Sequence, residues 1–229
     1  MIYIYVLYKM KIHKLSNNII VHEYDNNIYI IKNLIPTTFC SKFVNIMKQL
    51  NMDNKTEYGK NSNVLTYYVS IFKICELCEQ QITSCEDNET LNFLLRIFLS
   101  VYIRLIAYII NTINTHIFNH QIPKFDEIVF RKIHGATRLH TDGIYGSDDA
   151  REARCDRILS CIIAFNDNYT QGHFCFPKNE LNIKLNTGDI LLFPPYWTHP
   201  HYTTEPIDDY RYTSTFWFLS NDTDTISLL

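Results

Sequence analysis

The residues best suited to chemistry are a histidine and an aspartate two positions apart, His140 and Asp142, and two histidines about sixty residues later, His199 and His201. On an extended strand, side chains at positions i and i+2 point the same way, so His140 and Asp142 are predicted to bind one ion together. Either distal histidine would complete a set of two imidazoles and one carboxylate. That set suits Fe(II), and Zn(II) also accepts it, whereas soft-ligand metals are excluded because no cysteine lies here.

A second feature is Arg211, which begins a largely apolar run that extends to residue 219. A guanidinium is planar and always charged, and it pairs bidentately with a carboxylate, so this arginine indicates a site for a carboxylate ligand. Thr213 lies two residues on, shares the same face of a strand and can donate its hydroxyl to the same ligand. The alternative is a surface ion pair between Arg211 and Asp208 or Asp209, which the apolar surroundings disfavour.

The elements that position these residues are short runs of strand composition, each bounded by turn residues, from residue 126 onward. Several short strands with turn signals between them predict an antiparallel sandwich or barrel. The predicted strands are residues 127–133, 157–165, 173–176, 181–185, 189–193 and 210–219.

The first half of the chain has a different character. Residues 19–21 and 28–31 predict a hairpin, and a helix is predicted to open at Thr37 or Thr38. Residues 91–113 predict an amphipathic helix and not a membrane span, because internal arginines would cost about 2.5–3.5 kcal/mol each in a bilayer. We predict one α+β domain over residues 1–229, in which residues 1–125 are mainly helical support with N-terminal strands and residues 126–220 are the β half.

Bulk properties restrict the partners and the compartment. A net charge of −3 and an isoelectric point near 6.3 give no general attraction to nucleic acid or to anionic membranes. Seven cysteines, an odd number without disulfide-scaffold spacing, indicate a reducing compartment. Cys75, Cys78 and Cys85 have no matching second pair, so a structural zinc ion is not expected. Residues 1–8 lack the features of a signal peptide and are predicted to be an edge strand or an extension, which favours a cytoplasmic location.

Four motifs in the second half carry a family resemblance: RKIHGATRLHTDG (131–143), RILSCIIAFNDNYTQGHFCFP (157–177), NTGDILLFPPYWTHPH (186–201) and YRYTSTFWFL (210–219). They resemble the catalytic double-stranded β-helix of the Fe(II)- and 2-oxoglutarate-dependent dioxygenases, in the prolyl 4-hydroxylase-like branch. Residues 26–47 resemble the opening strand and helix of the same family. The resemblance implies a jelly-roll core with N-terminal helices packed on one sheet.

The resemblance also implies roles for individual residues. In relatives, the basic residue that binds 2-oxoglutarate lies ten positions beyond the distal metal histidine, and Arg211 lies ten beyond His201. We therefore assign His140, Asp142 and His201 to the metal, with His199 as the alternative, and we assign Arg211 and Thr213 to 2-oxoglutarate.

One departure from the family concerns a tyrosine that contacts 2-oxoglutarate in many relatives. It lies on the strand before the His-x-Asp motif, near where this chain has Lys132 and Ile133. The contact is either lost here or supplied by Tyr196, Tyr212 or Arg138.

The implied activity is hydroxylation of a C–H bond with Fe(II), 2-oxoglutarate, O2 and ascorbate, on peptidyl proline in a Pro-containing peptide or protein. Retention of Asp142 favours hydroxylation over halogenation. The alternatives are the same chemistry on a lysyl side chain, a free amino acid or a nucleobase, and a cupin-like metal-binding or sensor module without turnover. Residues 143–156, charged and turn-prone, are predicted to form a lid over the site. The AT-biased amino-acid usage fits a large DNA virus or a protist.

Overall fold

Antiparallel strands from both halves of the chain form most of the structure. The computed structural model describes residues 10–15, 19–24, 27–49, 53–55, 65–70, 100–102, 104–109, 111–112, 115, 124–125, 128–143 and 157–219. The strands are β1 (Lys11–Lys14), β2 (Ile20–Tyr24), β3 (Ile28–Lys32), β4 (Asp53–Lys55), β5 (Leu65–Ser70), β6 (Lys124–Phe125), β7 (Val129–His134), β8 (Thr137–His140), β9 (Arg157–Ala164), β10 (Thr170–Gln171), β11 (Phe174–Phe176), β12 (Leu181–Ile183), β13 (Ile190–Phe193), β14 (His201–Thr203), β15 (Pro206–Ile207) and β16 (Arg211–Leu219). The helical elements are α1 (Thr37–Gln49), a 3-10 turn (Pro177–Asn179) and a second helical segment at residues 100–102, 104–109 and 111–112.

Two sheets face each other across the second half of the chain. The larger sheet has ten strands in the order β1-β2-β3-β13-β9-β16-β7-β5-β4, with β6 also paired to β16. The smaller sheet has four strands in the order β12-β11-β14-β8, and β10 pairs separately with β15. These antiparallel sheets form a jelly roll, the architecture that the sequence predicts for this half.

The central strands of the larger sheet are apolar on both faces because both faces are covered. On β13, Ile190 and Leu192 belong to one hydrophobic cluster, whereas Leu191 and Phe193 belong to another. Successive side chains of a strand point to opposite faces, so a strand between two apolar layers has a continuous apolar sequence. One cluster fills the space between the two sheets, where Phe176 and Phe193 meet edge to face at 5.1 Å.

Helical residues contribute to the other cluster. Phe43 of α1 contacts Phe130 of β7 and Phe165, with ring centroids 4.9 and 4.2 Å apart. Tyr102 of the second helical segment is fully buried, and its hydroxyl is hydrogen-bonded to that of Ser214 on β16. This face of the larger sheet is therefore packed on helical side chains, which leaves its opposite face to build the site.

Several sequence predictions can be compared with these elements. Each predicted strand of the second half overlaps an observed one, namely β7, β9, β11, β12, β13 and β16, and the predicted hairpin is formed by β2 and β3. No helix in the described part of the chain is long and apolar enough to cross a membrane. Residues 1–8, 91–99 and 144–156, and the cysteines between 75 and 85, lie outside the described residues.

Candidate metal centre and anion pocket

Three side chains with metal-ligating atoms meet where β8 and β14 lie side by side. His140 ends β8, His201 begins β14, and the two residues are direct partners in the antiparallel pair. The ligand atoms of His140, Asp142 and His201 all lie within 4.8 Å of one another. Oδ1 of Asp142 is 3.5 Å from Nε2 of His140 and 3.8 Å from Nε2 of His201. The structure thus brings together the three residues that the sequence assigns to the metal.

Backbone carbonyl groups orient both imidazoles. Nδ1 of His140 lies 2.8 Å from the carbonyl oxygen of Arg138, and Nδ1 of His201 lies 3.2 Å from that of His199. Because a carbonyl oxygen can only accept, each Nδ1 carries the proton and donates it. Each Nε2 therefore presents its lone pair to the cluster, as a metal-binding histidine requires.

Asp142 lies beside His140, as the sequence predicts, although the paired part of β8 ends at His140. Hydrogen bonds from outside β8 also hold Asp142. The Ser160 hydroxyl donates to its Oδ2 at 2.7 Å, and the Arg157 guanidinium donates to its carbonyl oxygen at 3.0 Å. The next amide, that of Gly143, donates to the carbonyl oxygen of Pro195 at 2.7 Å.

The electrostatics of the three residues favour metal binding. Burial alone would raise the pKa of Asp142, but the positive charges that His140 and His201 carry when protonated, together with the hydrogen bond from Ser160, hold that pKa below its usual value. Burial lowers the pKa of His201 to about 4, because it outweighs the attraction of Asp142 for an imidazolium. At neutral pH the cluster therefore offers an ionised carboxylate and a neutral His201 imidazole, the forms that a divalent metal binds.

The alternative ligand, His199, is separate from this cluster. Its side chain is buried, but its Nδ1 is 2.8 Å from the Thr198 hydroxyl, and it lines a different depression together with Asn27 and Trp197. Its contribution to the cluster is its backbone carbonyl, which orients His201. The geometry favours His201 over His199 as the third ligand.

Arg211 lies at the other end of the same cavity. Only 1% of its surface is exposed, which excludes the surface ion pair considered as the alternative. Asp208 accepts a hydrogen bond from Thr170, and Asp209 accepts one from Asn168. The Arg211 guanidinium donates to the carbonyl oxygen of Gly172 at 3.0 Å and to the Thr203 hydroxyl at 3.1 Å. Neither acceptor is charged, so a carboxylate that enters the cavity would find a guanidinium held in place by neutral groups.

The glycine in this arrangement has a specific role. Gly172 has φ +65°, and a Cβ built on it would lie 2.6 Å from the Tyr169 ring. A glycine is required because both the backbone conformation and the close approach of the ring exclude a side chain. The Gly172 carbonyl is thereby directed at Arg211.

One cavity connects the metal cluster to Arg211. Its lining is Arg131, Ile133, Thr137, His140, Asp142, Ile162, Phe174, His201, Thr203, Arg211, Thr213, Thr215 and Trp217. Thr213, the predicted partner of Arg211 in binding 2-oxoglutarate, is 2% exposed and belongs to this lining. Three residues were candidates to replace the tyrosine that contacts 2-oxoglutarate in relatives, and none of them lines the cavity. Arg138 is exposed, Tyr196 is outside the lining, and Tyr212 faces the core on the other side of β16.

Sequence reasoning missed four residues that the structure places at the site. Thr203 and Ser160 hold Arg211 and Asp142, Arg131 lines the cavity, and Arg157 donates to Asp142. Arg157 also stacks on Trp217, with its guanidinium carbon 3.6 Å from the ring centroid, and Trp217 lines the cavity, in line with its interpretation from the sequence as core or pocket wall. For Thr203, the partner comes from a strand of the opposite sheet, which local sequence does not reveal.

The donor set fits one resident Fe(II) ion. Two imidazole nitrogens and one carboxylate oxygen converge from one side, and each is oriented by a hydrogen bond from or to a neighbouring group. Non-haem Fe(II) oxygenases use this combination, which leaves the remaining coordination positions to substrates.

Comparison with known proteins agrees with this geometry. Residues 128–219 match the family model described as the 2OG-Fe(II) oxygenase superfamily. No curated protein matches the sequence of this chain. The matched range begins just before β7 and ends with β16, so it contains the whole cavity between the two sheets.

Solved structures with a similar fold include three prolyl hydroxylases. The viral collagen prolyl hydroxylase of Paramecium Bursaria Chlorella virus-1, in its 2OG complex, has a TM-score of 0.52 at 12% identity, over 85% of this chain and 96% of that one. A Trichoplax adhaerens prolyl hydroxylase, in complex with a peptide fragment of the hypoxia inducible factor oxygen degradation domain, gives 0.57 at 15%, over 89% and 87%. A Pseudomonas putida prolyl-4-hydroxylase gives 0.52 at 12%, over 86% and 94%. Residues 128–219 are therefore similar to the 2OG-Fe(II) oxygenase superfamily, and the fold of the chain is similar to that of the prolyl hydroxylases.

Proposed function

We propose that the protein is an Fe(II)- and 2-oxoglutarate-dependent dioxygenase that hydroxylates peptidyl proline at C4. The observation that carries the proposal is the single cavity with His140, Asp142 and His201 at one end and the buried Arg211 at the other. A dicarboxylate cosubstrate needs a cation that binds its far carboxylate at a fixed distance from the metal. In this cavity the metal cluster lies at one end, and Arg211, which can bind that carboxylate, lies at the other.

The residues of the chain divide the work of the reaction. Bound Fe(II) would supply the redox chemistry that couples decarboxylation of 2-oxoglutarate by O2 to hydroxylation of a C–H bond. His140, Asp142 and His201 would hold that ion from one side, and Arg211 with Thr213 would bind the distal carboxylate of 2-oxoglutarate. The apolar walls, such as Ile162 and Phe174, exclude water from the reacting groups.

The support for proline comes from the wall beside the metal cluster. Trp217 is 9% exposed and is backed by the Arg157 guanidinium, so its indole is held as a flat, rigid surface. A proline ring presents a compact apolar face to such a wall. The fold is also that of prolyl hydroxylases, one of which is in complex with a peptide fragment.

Substrate profiling tests the proposal. The protein is incubated with Fe(II), 2-oxoglutarate, O2 and ascorbate, the reductant expected for sustained turnover, and with proline-rich peptides, lysine-containing peptides, free amino acids or nucleobases. Succinate is measured together with the mass of each substrate. We expect proline-rich peptides to stimulate succinate release and to gain one oxygen atom on a proline, and His140→Ala to abolish both.

Two outcomes would contradict the proposal in different ways. Stimulation by nucleobases, amino acids or lysine-containing peptides, and not by proline-rich peptides, would retain the dioxygenase and reject proline. An absence of succinate with every substrate from an iron-loaded wild-type protein would instead support a metal-binding or sensor module.

A further inference from the structure

A second arginine, Arg131, lines the cavity together with Arg211. If Arg211 binds the distal carboxylate of 2-oxoglutarate, the function of Arg131 in the cavity is not yet explained. We propose that Arg131 is the anchor for the keto-acid end of the cosubstrate, so that two guanidinium groups bind the two carboxylates of 2-oxoglutarate. This inference rests on the proposed function, and it assigns a cosubstrate-binding residue on strand β7.

The side chain of Arg131 faces the cavity because of strand alternation on β7. Its neighbours on either side point the other way: Phe130 packs on Phe43 of α1, and the amine of Lys132 lies 4.2 Å over the Tyr210 ring. Arg131 and Ile133 are both part of the cavity lining. The strand therefore presents the charge of Arg131, and not that of Lys132, to the ligand.

The register places Arg131 between Arg211 and the metal cluster. Arg211 pairs with Ile133, and Thr213 pairs with Arg131, so the two arginines are offset by two residues along adjacent strands. Two residues of a strand correspond to about 6.8 Å, and adjacent strands are about 4.8 Å apart. The offset is toward the metal, because Trp217, further along β16, pairs with Ser160, which holds Asp142.

The charges of the lining match an elongated dianion. Asp142 is the only acidic residue among the described residues that line the cavity, while Arg131 and Arg211 are both cationic. A ligand with one carboxylate at each end of a five-carbon chain would meet Arg211 with its distal carboxylate and Arg131, nearer the metal cluster, with the carboxylate of its keto acid. A guanidinium fork also fixes the orientation of a carboxylate, so Arg131 would direct the keto acid toward the metal.

Ligand binding without turnover tests the assignment. The wild-type protein and the variants Arg131→Gln and Arg211→Gln are loaded with Fe(II) without oxygen and titrated with 2-oxoglutarate or with pyruvate, a keto acid that lacks the distal carboxylate. The charge-transfer absorbance of the complex and calorimetry with Mn(II) in place of Fe(II) report binding. Lys132→Gln is the matched control, because it removes a charge from the next residue on the opposite face of the same strand.

The two arginines are expected to give different signatures. Arg131→Gln should lower the affinity for both 2-oxoglutarate and pyruvate by about tenfold or more, because each acid loses a charge-assisted hydrogen bond. Arg211→Gln should lower the affinity for 2-oxoglutarate but leave the affinity for pyruvate unchanged. Lys132→Gln should bind both ligands as the wild type does.

If Arg131→Gln binds both acids as the wild type does, the assignment is overturned. It is also overturned if this variant loses affinity for 2-oxoglutarate but keeps its affinity for pyruvate. If the glutamine variant does not fold, Arg131→Lys keeps the charge but loses the fork, and wild-type affinity for both acids in that variant would also overturn it. A wild-type protein that binds Mn(II) but no 2-oxoglutarate would reject the proposed function itself, which distinguishes the two failures.

Discussion

The two ends of the cavity are built in different ways. At the metal end, the three side chains come from the last residue of β8, from the segment after it and from the first residue of β14. At the other end, Arg211 belongs to β16, which is paired along most of its length with β9 on one side and β7 on the other. The metal end is thus assembled at the edge of the small sheet, where β8 is the last strand, whereas Arg211 at the anion end, the first residue of β16, lies on a central strand of the large sheet.

This difference indicates what each end depends on. The metal cluster depends on single hydrogen bonds that orient each ligand, such as the one from Ser160 to Asp142. Arg211 depends on the sheet itself, because its backbone is paired with Ile133 of β7 and its guanidinium donates to Gly172 and Thr203. Substitutions at the two ends should therefore separate metal binding from cosubstrate binding.

The largest effect is expected at the third ligand. His201→Ala should abolish stoichiometric iron binding. Loss of a hydrogen bond that supports a ligand lowers metal affinity by about 10–100-fold, and loss of the ligand itself should lower it further. His199→Ala is the matched control, since it removes a buried histidine two residues away but keeps the backbone carbonyl that orients His201. Metal content and calorimetry measure both. Retention of iron by His201→Ala together with its loss from His199→Ala would reverse the ligand assignment.

A smaller effect is expected at the anion end. Arg211→Gln should raise the apparent KM for 2-oxoglutarate by about tenfold to a hundredfold, because hydrogen bonds to charged groups contribute about 1.5–3 kcal/mol. Its affinity for iron should stay at the wild-type value. Arg138→Gln, which alters an exposed arginine outside the cavity, is the control. Steady-state succinate release at varied 2-oxoglutarate measures the effect, and an unchanged KM would remove Arg211 from the site.

The smallest effect is expected from a supporting hydroxyl. Ser160→Ala should weaken iron binding by about tenfold, because Asp142 loses the hydrogen bond that orients its carboxylate. Ser214→Ala is the matched control: it is another buried serine of the large sheet, but its hydroxyl bonds Tyr102 on the helical side. It should lower the free energy of unfolding by about 1–3 kcal/mol without changing iron affinity. Equal iron affinity in the two variants would show that Ser160 does not support the metal end.

The same division explains how much could be predicted from the sequence. Long apolar runs, such as the one that became β16, predict strands because both faces of the sheet are buried, and the spacing of His201 and Arg211 follows from the family resemblance. The short elements carry no such signal. β14 has three residues, and β4 (Asp53–Lys55) is formed by polar residues whose backbone pairs with β5. Asp142 lies beside His140, as predicted, but the hydrogen bond from Ser160 that also holds it joins residues far apart in the chain and has no signal in the local sequence.

Arg131 shows a further limit of sequence patterns. Two adjacent cations on one strand look alike in the sequence, and only the direction of the strand faces separates Arg131 in the cavity from Lys132 over Tyr210. That direction is set by the packing of Phe130 on α1, a contact between residues far apart in the chain.

The alternation of β16 limits how this protein can evolve. Arg211, Thr213 and Trp217 face the cavity, while Tyr212 and Phe216 face the helical side. Inserting or deleting one residue within the strand would exchange the two sets, placing aromatic rings in the cavity and the arginine in an apolar core. Changes in chain length should therefore be tolerated better in the connections between strands than within β16 itself.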